Sequence, residues 1–361
     1  MSIWSSLRGH DEQRDMFRRT IERRRLSQAY LFVGPAGVGK HQFARRLAHA
    51  LLCLRRGEDP LEPCGQCAGC KPFLAGANPD FLYVGCPEGK REFPIAQLVG
   101  PEERRGKEGL CHDISLAPLP GSRKVAIVDD ADTMNESSAN AFLKTLEEPP
   151  DRAILLLIAS NLDALLPTIR SRCQLVRFSP LTTEDVQALL LEQDLVQSME
   201  DARFAAELSE GSLFTARQLI EPELRKLRTL LFAQLAKTDF SGLGLSKQLQ
   251  EGLSEISSDT AEQRRNGQWL IRFAVEFFRT ALWQLQAVES SSAPTDPEIA
   301  KFAKRLSEQS NAWELLGASI DRAVDASLNI DSNVPVALSL DSLFDDLARL
   351  SRRSQPTRSP V

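Results

Sequence analysis

The sequence lacks several features that would indicate a membrane, secreted or strongly basic protein. No apolar run in its 361 residues approaches the roughly 20 residues that cross a membrane. Its first segment, MSIWSSLRGHDEQ, does not have the apolar core of a signal peptide. Basic residues are not in excess, because 44 Lys and Arg stand against 49 Asp and Glu, for a formal net charge of −5. The chain therefore lacks the overall basic footprint of a nucleic-acid binder. We expect a cytoplasmic protein with no membrane segment.

What the sequence does contain is a glycine-rich segment, GPAGVGKH, between two apolar patterns. The preceding run AYLFV consists of strand formers, and the following QFARRLAHALLCL repeats apolar residues at helical spacing. A strand, a glycine-rich loop and a helix in this order match the phosphate-binding pattern G-x-x-x-x-G-K-[ST]. Gly34, Gly37 and Gly39 would let backbone N–H groups turn towards a phosphate, and Lys40 would reach its outer oxygens. This is the pattern of a site for the phosphates of ATP or ADP.

The phosphate-loop pattern is incomplete at its last position, where His41 replaces Ser or Thr. That hydroxyl normally ligates Mg²⁺, a hard ion that prefers oxygen, and an imidazole is a poor substitute. After the apolar run KVAIV, Asp129 would coordinate Mg²⁺ and Asp130 would polarise the attacking water. A Glu is usual at the second of these positions, so Asp130 is a second departure that weakens the predicted apparatus for hydrolysis. The sequence predicts that Mg²⁺-dependent hydrolysis is lost, and it leaves open whether the loop holds nucleotide or binds nothing.

Seven cysteines are present, and four of them are clustered. Cys64, Cys67 and Cys70 have the spacing C-x2-C-x2-C, and Cys53 lies at the end of the helix predicted after the phosphate loop. In a cytoplasmic chain such a cluster indicates a metal before it indicates disulfides. Four thiolates form a closed tetrahedral Zn²⁺ site, which is structural rather than catalytic. An iron–sulfur cluster, which also uses four cysteines, is the alternative.

Two later motifs make the pattern specific. LKTLEEPP is a predicted helix stopped by prolines, and LLPTIRSRC carries Arg172 just before another apolar strand. With the incomplete phosphate loop and the cysteine insertion, these motifs resemble bacterial clamp-loader subunits of the AAA+ family, above all the delta-prime type, from Leu7 to about Leu181. The resemblance implies an α/β AAA+ domain with a P-loop, a parallel five-stranded sheet and a zinc insertion. A small helical lid and an all-α collar domain would follow.

The same resemblance gives domain boundaries. It implies a nucleotide-binding-like domain at 1–178 with the zinc insertion at 53–70, a helical lid at 179–221, a collar for oligomerisation at 222–351 and a disordered tail at 352–361. Apolar runs predict the strands near 29–33, 81–84, 125–129, 154–159 and 174–178.

For function, the resemblance implies a stator within a five-subunit arc of the DNA polymerase III holoenzyme. In that arc tau/gamma subunits hydrolyse ATP, delta pulls on the ring-shaped sliding clamp, and the clamp is loaded on primed DNA during replication. Carried onto this sequence, Arg172 would be an arginine finger, offered in trans to the ATP of a neighbouring motor subunit. Such an arginine is worth about 10³ to 10⁵ in rate. The chain itself would be a weak ATPase or none, within a nucleotidyltransferase complex.

The chain also departs from the family pattern. The segment SEGSLFTARQL resembles the sensor-2 region, with Phe214 where an arginine is usual, and Arg217 is expected to face elsewhere. Either Ser160 or Asn161 is the sensor-1 position. The main alternative is a tau/gamma-like ATPase motor. A motor predicts Ser or Thr at position 41 and Glu at position 130, where this chain has His41 and Asp130. A zinc-dependent DNA-binding module is a further rival, but PLEPCGQCAGCKPF has little positive charge.

Overall fold

The computed structural model describes residues 2–55, 59–87, 90, 92–286, 296–309, 311–332 and 334–353. The chain divides into two compact units, Met1–Ile220 and Glu221–Val361, and each is described by itself. Among the described helices, none has the length and apolar character needed to cross a membrane. Residues 352 and 353 of the predicted disordered tail belong instead to the last helix, and from residue 354 onward the predicted tail lies outside the described residues.

The first unit is an α/β domain whose sheet is followed by three further helices. Its strands are β1 (Ala29–Val33), β2 (Phe81–Val84), β3 (Lys124–Val128), β4 (Ala153–Ala159) and β5 (Gln174–Arg177). Its helices are α1 (Asp11–Glu22), α2 (Lys40–Leu52), α3 (Cys70–Leu74), α4 (Ile95–Val99), α5 (Leu110–Ser115), α6 (Glu136–Glu147), α7 (Pro167–Arg170), α8 (Thr183–Glu192), α9 (Met199–Leu208) and α10 (Leu213–Leu219).

The five strands form one parallel sheet in the order β2-β3-β4-β1-β5. Every residue of β1, β3 and β4 is buried, as expected for parallel strands covered by helices on both faces. The predicted five-stranded parallel sheet is confirmed. Because the strands are parallel, the segments that follow them meet at one edge, here called the exit edge. The segments that precede them meet at the opposite edge, here called the entry edge.

Alternate residues of the strands point to opposite faces of the sheet. On one face, Phe32 of β1 packs with Phe17 of α1 and Phe43 of α2 in a buried aromatic cluster. On the other face, Leu31 lies in a core with Phe142 of α6. These two cores fix α2 and α6 against the sheet, so the residues at the helix ends have defined positions at its edges.

The second unit is helical throughout its described residues, as predicted for a collar. Its helices are α11 (Pro222–Leu235), α12 (Gly242–Ile256), α13 (Thr260–Gln286), α14 (Pro297–Leu306), α15 (Ala312–Asp331) and α16 (Val336–Arg353). Phe273 and Phe277 of α13 are buried, in agreement with the core role that their spacing indicates. Arg228 is also buried and donates to the Glu276 carboxylate at 2.7 Å, which pairs its charge inside the bundle.

Candidate functional site

The phosphate-loop segment lies at the exit edge, between β1 and α2. Gly37 and Gly39 have φ values of +77° and +103°, in the left-handed region that favours glycine. A Cβ atom on Gly34 would lie 2.1 Å from the carbonyl oxygen of Phe178, so the chain after β5 also requires a glycine there. The segment therefore has the strand–loop–helix geometry of a phosphate-binding loop.

Lys40 is buried at the start of α2, and its ammonium group is bound by its own loop. Its Nζ donates to the carbonyl oxygens of Gly34 at 2.6 Å and Pro35 at 2.8 Å. Burial lowers the pKa of Lys40, and the nearby carboxylates of Asp129 and Asp132 partly offset this effect. To reach a phosphate, the ammonium group would have to leave these two carbonyls.

Three acidic residues after β3 lie at the same edge. Asp130 adopts a left-handed conformation with φ of 53°, which is strained for a residue other than glycine. Burial raises the pKa of Asp130 to about 6, together with repulsion from Asp129 and Asp132. The Asp132 carboxylate accepts hydrogen bonds from the backbone N–H groups of Ser160 at 2.9 Å and Asn161 at 2.8 Å. Asp132 thus joins the acidic turn to the end of β4, a role that sequence reasoning missed although the residue stands in the DDAD run.

His41 occupies the position where a Mg²⁺-binding hydroxyl is usual. Its ring meets the ring of Tyr83 edge-on, with centroids 5.5 Å apart. The Tyr83 hydroxyl donates to Asp129 at 3.4 Å, and burial, with the nearby Asp129 and Asp130, raises the pKa of Tyr83 to about 12. An aromatic pair therefore stands beside Asp129, and His41 offers a nitrogen ligand where Mg²⁺ prefers oxygen.

The loop and the acids line an open cleft of about 690 Å³. Helices α8 and α10 form one side of it, through Leu189 and Leu213. Leu213, at the start of α10, donates its N–H to the carbonyl oxygen of Gly37 at 3.1 Å. Phe214 and Arg217 both line this cleft. The expectation that Arg217 faces elsewhere was wrong, because residues three apart lie on the same side of a helix.

A buried histidine, His10, contacts the backbone of the phosphate loop. The Nε2 atom of His10 lies 2.6 Å from the carbonyl oxygen of Val38, and its ring meets that of Phe178 edge-on at 4.9 Å. Burial lowers the pKa of His10. Sequence reasoning missed this residue, because a single histidine ahead of a helix carries no signal of a partner 28 positions later.

The four clustered cysteines come together beside the end of α2. The sulfur atoms of Cys53, Cys64, Cys67 and Cys70 all lie within 4.8 Å of one another. With Zn–S bonds of about 2.3 Å, a tetrahedral site has sulfur atoms about 3.8 Å apart, close to the 4.0 Å between Cys53 and Cys67. This cluster could hold a metal ion, and its all-thiolate donor set fits a structural zinc.

The backbone of the cysteine loop is shaped for this convergence. A Cβ atom on Gly69 would lie 2.1 Å from the carbonyl oxygen of Leu52, so only glycine permits this approach of the loop to α2. Backbone N–H groups also point at the sulfurs, from Leu54 to Cys67 and from Cys64 to Cys53, each at 3.4 Å. Such donors favour the thiolate form that binds metals.

Arg172 lies at the entry edge, between α7 and β5. Its guanidinium donates to the Thr168 carbonyl oxygen at 2.9 Å and the Ser171 hydroxyl at 3.2 Å, and it pairs with the carboxylate of Glu147. Glu147 ends α6, a helix of 12 residues that begins just after the acidic turn of the cleft. At 1.5 Å per residue such a helix is about 18 Å long. Arg172, at the entry edge, therefore lies at the opposite edge of the sheet from the chain's own phosphate loop, which is at the exit edge.

Known proteins with similar sequences indicate which family this chain resembles. Residues 9–182 match the family described as DNA polymerase III, delta subunit. The DNA polymerase III subunit delta' of Bacillus subtilis is 37% identical over 190 residues, which cover 53% of each chain. The corresponding subunit of Pseudomonas aeruginosa is 33% identical over 231 residues, covering 63% of this chain and 62% of the relative.

A tau subunit from Bacillus subtilis is also similar, at 27% identity over 307 residues, which cover 81% of this chain and 52% of that protein. The chain thus spans between about half and three fifths of the length of these three relatives. The two delta' relatives have the higher identities, and the family match covers the whole sheet. Over residues 9–182, this chain is thus similar to the family described as DNA polymerase III, delta subunit, and to the delta' subunits of two bacteria.

Proposed function

We propose that this chain is a stator-type subunit of a DNA polymerase III clamp loader, which assists ATP hydrolysis in a neighbouring subunit instead of performing it. The observation that carries the proposal is the placement of Arg172 at the entry edge, across the sheet from the chain's own cleft. An arginine so placed is available to a second chain. Arginine suits this task because its planar, permanently charged fork matches phosphate oxygens.

The proposal is supported by the state of the chain's own cleft. Lys40 is bound to Gly34 and Pro35, His41 offers no hydroxyl, and Phe214 stands in the cleft where the family pattern has an arginine. Asp130, with its raised pKa, is a shorter acid than the usual Glu. We expect any nucleotide in this cleft, ATP or ADP, to be held without efficient Mg²⁺-dependent hydrolysis.

The partners follow from the same proposal. The chain would assemble through its helical second unit with tau/gamma and delta subunits, and the complex would load a sliding clamp on primer–template DNA. The cysteine cluster would hold one Zn²⁺ ion with a structural role, because four thiolates leave no open coordination position. Its contribution would be to fix the segment between α2 and α3.

The proposal is tested by steady-state ATP hydrolysis in a loader reconstituted with clamp and primed DNA. We expect the isolated chain to be inactive and Arg172→Ala to lower turnover at the neighbouring site by at least about 10³-fold. Arg170→Ala is the matched control, because Arg170 is an exposed arginine two residues away. Wild-type turnover with Arg172→Ala would contradict the proposal.

The second candidate, an autonomous tau/gamma-like motor, is favoured by the tau similarity over 81% of this chain. It differs in one outcome. A motor would hydrolyse ATP alone and would lose this activity in Lys40→Ala, whereas the stator proposal expects Lys40→Ala to leave the turnover of the complex near that of wild type.

A further inference from the structure

The LKTLEEPP motif contributes a residue whose contact the proposed function has not used. Glu147 is the last residue of α6, and its carboxylate pairs with the guanidinium of Arg172 across the entry edge. The two residues are 25 positions apart in sequence and come from different elements, so the pair is formed by the fold. Glu148 follows directly, is also exposed and carries the same charge.

We propose that Glu147 is a positioning residue for Arg172: its carboxylate holds the guanidinium in the orientation in which it is presented to the phosphates of a nucleotide bound by a neighbouring subunit. The inference rests on the proposed function, since it assigns a task to Glu147 only if Arg172 acts in trans.

Ordering an arginine side chain has an entropic cost. A free arginine populates many rotamers, and this freedom is lost when the side chain binds in one position. Arg172 is partly exposed, with 32% of its side-chain surface accessible, and the apolar cores do not hold it. Its contacts to Thr168, Ser171 and Glu147 restrict it instead. Part of the ordering cost is thus met before a phosphate arrives.

The guanidinium of Arg172 also has more donors than its present contacts use. A guanidinium has five N–H groups, and the three contacts of Arg172 use Nη1 and Nη2 without occupying all five. Donors therefore remain for a phosphate oxygen while the carboxylate stays bound. Glu147 acts as an orienting partner and does not need to release the arginine.

Glu147 is placed at the C-terminal end of α6. The C-terminal end of a helix carries partial negative charge, and Glu147 adds to it. A guanidinium is attracted to this end by both charges, whereas a neutral glutamine at the same position would keep only the helix contribution and a weaker, uncharged hydrogen-bond acceptor. The charge of Glu147, and not only its shape, is therefore what we expect to matter.

The test compares Glu147→Gln with the matched control Glu148→Gln in the reconstituted loader. An exposed ion pair of this kind is worth up to about a fivefold change in an equilibrium, so we expect Glu147→Gln to lower kcat for ATP by about two- to fivefold with KM unchanged. Glu148→Gln should keep the wild-type kcat. Equal behaviour of the two variants, or a rise of kcat in Glu147→Gln, would overturn the inference.

A double-mutant cycle separates positioning from a structural role. If Glu147 acts through Arg172, then Glu147→Gln has no further effect on kcat in the Arg172→Ala background, whereas independent effects that multiply would contradict the inference. The proposed function is judged separately: it fails if Arg172→Ala alone keeps wild-type turnover. The present inference fails if Arg172→Ala is impaired and Glu147→Gln is not.

Discussion

The cysteine cluster and the nucleotide cleft lie in the same unit but are assembled in different ways. The cysteine ligands come from residues 53–70 and converge to within 4.8 Å through local loop geometry. The cleft takes residues from the ends of β1, β3 and β4 and from α10. The cluster has a complete ligand set, whereas the cleft lacks the hydroxyl at position 41 and has its lysine bound to backbone carbonyls.

From this difference we expect the chain to need a bound metal for its own fold, but not to need nucleotide hydrolysis in its own cleft. A metal ligand set loses its function when one ligand is missing, so a complete set is expected where the metal supports the fold. A nucleotide cleft can lose its catalytic groups while its framework stays, because the framework is held by packing. The predictions below test this contrast, from the largest expected effect to the smallest.

Removal of one metal ligand should have the largest effect. Cys67→Ser leaves three thiolates, and we expect the bound zinc to fall to near zero and the free energy of unfolding to fall on the order of 4 kcal/mol, as for the loss of a structural metal. Metal content by mass spectrometry and urea unfolding are the measurements. Cys86→Ser, outside the cluster, should keep both values; metal-free wild-type protein would refute the zinc assignment.

Gly37 joins the phosphate loop to α10, and its replacement should have the next largest effect. Gly37→Ala places a Cβ atom 2.4 Å from the Ser212 hydroxyl and 2.5 Å from the Cβ of Phe214, at a φ of +77°. We expect a loss of about 1–3 kcal/mol in urea unfolding. Gly76→Ala is the control, because Gly76 has φ of +71° and no atom near its Cβ position. Equal losses in the two variants would mean that the contact with α10 contributes nothing.

The absence of a hydroxyl at position 41 should make nucleotide binding insensitive to Mg²⁺. Replacing Mg²⁺ by EDTA should change the affinity of the wild-type chain for ATP by less than about twofold. His41→Thr supplies an oxygen ligand and should tighten binding about tenfold in Mg²⁺ only, by roughly 1.4 kcal/mol. Isothermal titration measures both, with His112→Thr as the control; strong Mg²⁺ dependence in wild type would contradict this account of the cleft.

The smallest expected effect is the pH dependence that His10 adds. Burial lowers the pKa of His10 in the folded state, below the unfolded value of about 6.5. Below that pH the unfolded chain takes up a proton that the folded chain does not, so stability falls as pH falls. His10→Phe removes this contribution, and its unfolding free energy should decline less than that of wild type between pH 7 and pH 5. If the unfolding free energies of wild type and His10→Phe decline in parallel between pH 7 and pH 5, then burial beside Val38 does not keep His10 neutral.

Local sequence patterns predicted the parts of the molecule that depend on local order. The apolar run from Lys124 gave β3 within one residue of its observed position, and the spacing of Cys64, Cys67 and Cys70 indicated their convergence. The predicted collar begins at residue 222, which is also the first residue of α11, where the fixed φ of proline suits a first helical turn.

The contacts that the sequence did not show are those between distant segments. His10 binds the carbonyl of Val38, and Asp132 binds the backbone after β4, through the packing of separate elements. The spacing of Phe214 and Arg217 puts them on one side of α10, but the fact that this side faces the cleft follows from how α10 docks on the loop. The pairing of Glu147 with Arg172 likewise depends on the order of β4, β1 and β5 in the sheet.

The most direct test of the central claim is single-turnover ATP hydrolysis by the reconstituted loader with Arg172→Lys or Lys40→Ala in this chain. A lysine keeps the charge but not the fork that matches phosphate oxygens. We predict that Arg172→Lys slows the chemical step at the neighbouring site by at least about tenfold with unchanged ATP affinity, and that Lys40→Ala leaves it unaltered. A slow step in Lys40→Ala with a normal rate in Arg172→Lys would show that this chain is a motor and not a stator.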